Sequence, residues 1–129
     1  MLQDLKEMLA QHQDWAVNCM SNIETARASG NYLLASFNFK HAANHWMMIA
    51  MLQWRGGMGN PTPALQRVVE IGRNARAVLP DMAPPGVPYR WLTCDYRIPA
   101  IADAILNCAV APEWFEWCCP WSAWPEAQK

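Results

Sequence analysis

His41 and His45 stand four residues apart in a stretch of helical character. Side chains at that spacing share one helix face, so both rings can reach one point. This is half of a helical metal site. The zinc-protease pattern H-E-x-x-H needs glutamate at position 42, and the residue there is Ala42. The general base is therefore missing. A third imidazole, His12, belongs to the preceding helical segment. If the two segments pair antiparallel about the loop near Gly30, His12 falls opposite Met47, one turn from His45. Cys19 then falls opposite Lys40, next to His41. A metal or ligand site built from His12, His41 and His45 is the alternative expectation. The preferred one is a polar layer in which these imidazoles hydrogen-bond, with Asn38 or Asn44, because buried polar groups must be paired.

Nucleophilic catalysis needs an activated residue, a base and an orienting group. Cys19 with His41 is the one pairing the helix alignment brings close, and nothing in the sequence ionises that thiol. Asp95, Asp103, Glu113 and Glu116 supply carboxylates, yet their spacing sets no two of them at a hydrolase distance. The five cysteines, Cys19, Cys94, Cys108, Cys118 and Cys119, are odd in number and irregular in spacing. They read as reduced thiols used as small apolar residues. No C-x-x-C pair is present to found a structural zinc site. The glycines of "GGMG" at 56–59 follow a helix rather than a strand and precede no G-K-[ST], so they read as a helix stop and not a phosphate cradle. No cofactor is expected, and the chain is not expected to be an enzyme.

The densest aromatic stretch is "EWFEWCCPWSAW" at 113–124. Trp114, Trp117, Trp121 and Trp124 recur at helical intervals, but Pro120 interrupts any continuous helix. A turn followed by an extended tail is expected. Such a segment can fold back as a lid over the groove beside a long connection, which is the preferred reading. The other reading makes these four tryptophans a protein-binding surface, since tryptophan is favoured at interface hot spots. Met47, Met48 and Met51 beside Trp46 are expected to fill a core, although thioethers also suit adaptable surfaces.

Those groups need elements to position them. Leu2, Leu5, Leu9, His12, Ala16, Cys19, Ile23 and Ala26 follow steps of three and four, which predicts a helix over 2–28. Gly30 suits its left-handed closure. A second helix is predicted over 31–55. Its stripe of Ala35, Phe39, Ala42, Trp46 and Ile49 is joined by a second apolar stripe of Leu34, Phe37, Met48 and Leu52. A helix apolar on two sides is expected at the centre of a bundle. Thr62 and Pro63 are predicted to open a third helix as cap and first residue. Its apolar face is Leu65, Val68, Gly72, Ala75 and Leu79, and Gly72 suggests a close helix crossing. Pro80, Pro84, Pro85, Pro88 and Pro99 predict an extended connection over 80–99. A fourth helix is predicted over 99–111, burying Ile98, Ile101, Ala102, Ile105 and Ala109.

Composition bounds the function. A chain of 129 residues fits one domain. Charged residues are 16% of it, against about a quarter in ordinary soluble domains. Low charge leaves apolar surface, which usually marks a partner, an oligomer or a ligand groove. Four basic and four acidic residues precede position 65, and six basic and seven acidic follow. No basic half exists to neutralise phosphates, so nucleic acid is not an expected partner. The longest apolar run, "WMMIAML" at 46–52, falls far short of the ~20 residues that span a bilayer. The amphipathic start also lacks a leader pattern, so a soluble, cytoplasmic protein with no membrane partner is expected.

These readings combine into a single all-α domain over 1–129. Four main helices form a bundle, with the second in the centre, a proline-rich connection and an aromatic C-terminal closure. The expected function is non-enzymatic binding of another protein. Two forms are an immunity protein that neutralises a bacterial toxin and a phage-encoded inhibitor of a host defence complex. A homodimer is also compatible.

Overall fold

A computed structural model describes residues 2–86 and 96–107. They form four helices, and no strand occurs among them. The first, α1, spans Leu2–Ser29, and α2 spans Tyr32–Arg55. The third, α3, spans Thr62–Met82, and α4 spans Arg97–Leu106. The all-α class read from the periodicity is what these residues adopt.

The joints between helices follow from local chemistry. Gly30 takes φ 67°, a conformation that costs glycine nothing. Its amide bonds the Arg27 carbonyl at 3.2 Å, and the Asn31 amide bonds Ala26 at 2.9 Å. This is the paired closure that satisfies orphan carbonyls at a helix end. Asn31 then caps α2, its side chain accepting the Leu34 amide at 3.1 Å. The end of α2 repeats the device. Gly57 has φ 63°, and Met58 N–H bonds the Gln53 carbonyl at 3.0 Å. Each joint is short, so consecutive helices pack side by side.

Burial follows the predicted stripes. On α1, Leu5, His12, Ala16, Cys19, Ile23 and Ala26 are buried, while Leu2, at the helix start, is exposed. Helix α2 packs against α1, α3 and α4. Its Ala35, Phe39, Ala42, Ala43 and Ile49 join Leu65, Val68, Ala75 and Leu79 of α3 in one core. Gly72 lies where α4 crosses α3. A Cβ there would come within 2.6 Å of Pro99 Cβ, so the glycine is needed for the close approach that its place in the stripe suggested.

The structure corrects several expectations. Thr62 is not the cap of α3. Pro61 holds that position without a side-chain bond, and Asn60 Oδ1 accepts the Thr62 amide at 3.1 Å instead. Pro80 does not begin the connection, because α3 continues through it to Met82. A proline in the last turn removes one hydrogen bond. Burial of Leu79, with Met82 and Ala83 against the core, holds the turn in place. Helix α4 starts two residues early, at Arg97, leaving Pro99 in its first turn, where no amide donor is needed. Its described span ends at Leu106, where the Asn107 side chain bonds the Asp103 carbonyl at 2.8 Å, and the rest of the predicted span, 108–111, lies outside the described residues. Of its predicted face, Ala102 is buried and Ile98, Ile101 and Ile105 are partly buried. The second stripe of α2 divides: Met48 and Leu52 are buried, but Leu34 and Phe37 are exposed. The central part of the proline-rich connection, Ala109 and the aromatic closure lie outside the described residues.

Candidate functional site

Five rings run across the α1–α2 hairpin. Trp15 and His12, three apart on α1, meet edge to face at 5.3 Å between centroids. His12 reaches His45 of α2, with ring centroids 5.2 Å apart. Trp15 also lies 5.3 Å from His45. One turn down α2, His41 is 6.3 Å from His45. One turn further, the Phe37 ring meets His41 at a tilt of 45°, with centroids 4.1 Å apart. The antiparallel pairing read from the sequence placed His12 within a turn of His45, and that contact is present.

The inner part of this row is a hydrogen bond. The two Nδ1 atoms of His12 and His45 are 3.0 Å apart, so one ring donates and the other accepts. Burial lowers the basicity of both imidazoles. For His45 the fall is to about 4, with His12 and then His41 adding to the effect of burial. His41 is lowered by burial first and by Lys40 second. These rings are therefore neutral near pH 7, and one unprotonated Nδ1 of the pair is available to accept.

The expected partners of the imidazoles differ in one respect. Asn38 bonds neither His41 nor His45 in the described contacts. Its Nδ2 donates to the Leu34 carbonyl at 2.8 Å, and its Oδ1 accepts from Asn22 at 3.3 Å. The polar layer is thus two cross-helix pairs, His12–His45 and Asn22–Asn38, in register along the hairpin. His12 and His45 converge, whereas His41 turns to Phe37. Among the described residues, no three metal-binding side chains already surround one point. Cys19 is buried, and burial raises its thiol pKa, which keeps it in the unreactive form.

The outer part of the row is exposed. Phe37 is 60% exposed, Trp15 44% and Met8 44%. Leu33 and Leu34 extend the apolar surface along α2. Met8, Gln11, Trp15, Asn18 and Asn22 follow steps of three and four along one edge of α1. That edge is uncharged over its whole length from Met8 to Asn22. Sequence reasoning missed Trp15 and Met8 because they lie beside the main stripe rather than on it. The signal available was a tryptophan three residues after a histidine already paired with α2.

A second concavity lies between α3 and α4. It measures about 180 Å³ and includes Arg73, Arg76, Tyr96 and Asp103 in its walls. Arg76 lies over the Tyr96 ring, 3.9 Å from its centroid. Pockets for drug-sized ligands run to about 300–1,000 Å³, so this one fits only a small group. Trp114, Trp117, Trp121 and Trp124, the residues singled out for protein binding, lie outside the described residues. Comparison with protein families, curated proteins and solved structures gives no match to this chain.

Proposed function

We propose that this protein is a non-enzymatic, protein-binding inhibitor, in the form of an immunity protein or a phage-encoded inhibitor of a host defence complex. The observation that supports this is the α1–α2 hairpin, where Met8, Trp15, Leu34 and Phe37 are each exposed. Protein interfaces have cores enriched in aromatic residues and methionine and depleted of charge, with polar rims. The α1 edge has that composition, with Gln11, Asn18 and Asn22 bordering Met8 and Trp15, and on α2 the exposed Lys40 adds a single charge near Phe37 and His41. The rings sit on two helices joined by a tight turn, so little freedom is lost when a partner docks. The occupant this face suits is a folded protein offering an apolar, weakly charged patch, such as the catalytic domain of a toxin or a subunit of a defence complex.

In this reading the four helices belong to one cytoplasmic bundle. No helix among the described residues is long and apolar enough to cross a membrane. Trp114, Trp117, Trp121 and Trp124 are additional candidate contacts, and a homodimer through the same surface is the competing assembly.

The test begins with capture from the native host. The captured protein is then purified and assayed with and without an equimolar amount of the inhibitor. Wild-type protein is expected to suppress the partner's activity, and the Trp15→Ser/Phe37→Ser variant to lose both capture and suppression at unchanged helical content. Trp117→Ser/Trp121→Ser forms a second arm. A partner bound equally well by Trp15→Ser/Phe37→Ser, or bound without loss of its activity, overturns the proposal.

A further inference from the structure

We propose that His12 and His45 form a binding site for a borderline divalent cation, with zinc as the type case, and that His41 turns in as the third ligand. This is independent of the protein-binding reading, because it concerns the inner part of the ring row rather than its exposed edge.

The geometry comes close to what such an ion requires. Zinc–imidazole bonds are about 2.0–2.1 Å and the preferred arrangement is tetrahedral. Two rings on one such ion then have their nitrogens roughly 3.3 Å apart and their centres roughly 5 Å apart. Here the nitrogens are 3.0 Å apart and the ring centroids 5.2 Å apart. An opening of a few tenths of an ångström admits the ion. The two backbones are already fixed by the core, with Ala16 and Cys19 following His12 and with Met48 and Ile49 following His45, all buried. The ligands are thus preorganised, as a functional site requires.

His41 completes the set by a side-chain rotation. It is one helical turn from His45, and its ring is 6.3 Å from that of His45. Its present partner is the exposed Phe37 ring, a contact easily exchanged.

The donor type selects the ion. Imidazole nitrogens suit zinc, copper and nickel, whereas magnesium and calcium want oxygen. Loading also balances in protons. The ring that donates through Nδ1 moves that hydrogen to its own Nε2, and both Nδ1 lone pairs become available to the metal.

The experiment uses the 129-residue chain without a histidine tag, labelled with ¹⁵N. The three imidazoles are observed directly while zinc chloride is added. Because the readout is the histidine nitrogens, zinc held by cysteine thiolates elsewhere does not imitate it. The expected result is a saturable shift of the Nδ1 signals of His12 and His45 together, with His41 following, and no response to magnesium. His45→Gln removes a proposed ligand and should lower the affinity read at His12 at least about tenfold, the loss that even an outer-shell partner's removal commonly causes. No shift at His12 and His45 with zinc in excess overturns the proposal, as does an undiminished His12 response in His45→Gln. An unchanged affinity in His41→Gln removes the third ligand. The wild-type spectra decide the main question even if a variant fails to fold.

Discussion

At the residue scale, the His12–His45 contact ties stability to pH. An imidazole in the unfolded chain titrates near 6.5, whereas His45 in the folded protein titrates at about 4. The unfolded state therefore takes up its proton first as pH falls. The contribution is complete above about pH 6.5, declines between 6.5 and about 4, and is gone below that. His12 and His41, the titratable groups beside it, shift in the same direction. The thermal midpoint of metal-free protein should accordingly fall as pH drops through this window, and His45→Gln should flatten the fall. An equally steep decline in His45→Gln would assign the acid sensitivity to other groups. Part of this was legible in the sequence. The four-residue spacing put His41 and His45 on one face, and the turn at Gly30 fixed the register that brings His12 to His45. The choice His41 makes between His45 and Phe37 was not legible, because both lie one turn away and side-chain rotation decides between them.

At the element scale, two glycines act by different physics, and substitution separates them. Gly72 faces Pro99, and an added methyl group has no space. Overpacking of this kind costs about 1–3 kcal/mol, while alanine regains about 1 kcal/mol of helix propensity. Gly72→Ala should destabilise in urea unfolding, and loosening α4 from α3 should be its visible effect. Gly30 has open space around its Cβ position but a positive φ. Gly30→Ala should cost about 1–2 kcal/mol through backbone strain alone and leave the packing intact. If Gly72→Ala proves stabilising, the close crossing of α3 and α4 is wrong. Helix positions were read well from apolar steps of three and four, since burial enforces that period. Helix ends were read less well. Pro80 and Thr62 look decisive locally, but Leu79 is held by the core and the Asn60 side chain reaches the Thr62 amide first. Tertiary contacts and a neighbour's reach outweigh single-residue preferences at the termini.

At the scale of the whole molecule, the division of the second α2 stripe matters most. Met48 and Leu52 are buried while Leu34 and Phe37 face solvent, and a sequence pattern cannot separate these, because the same period serves a core and a docking face. Exposed positions tolerate polar substitution within about 0.5 kcal/mol. Leu33→Ser and Phe37→Ser should therefore leave the thermal midpoint nearly unchanged, whereas the core variant Ile49→Ala should lower it by an amount corresponding to about 2–5 kcal/mol. A large loss of stability in Phe37→Ser would mean that the ring belongs to the core. The uncharged edge of α1 and this outer half of α2 together make the surface on which the proposed function depends. The most direct measurement is hydrogen exchange, by mass spectrometry, of the protein alone and in complex with its captured partner. Protection is expected over residues 8–22 and 33–45, with α3 and α4 unchanged. Protection confined to α3 and α4, with the hairpin exchanging as in the free protein, would contradict the account.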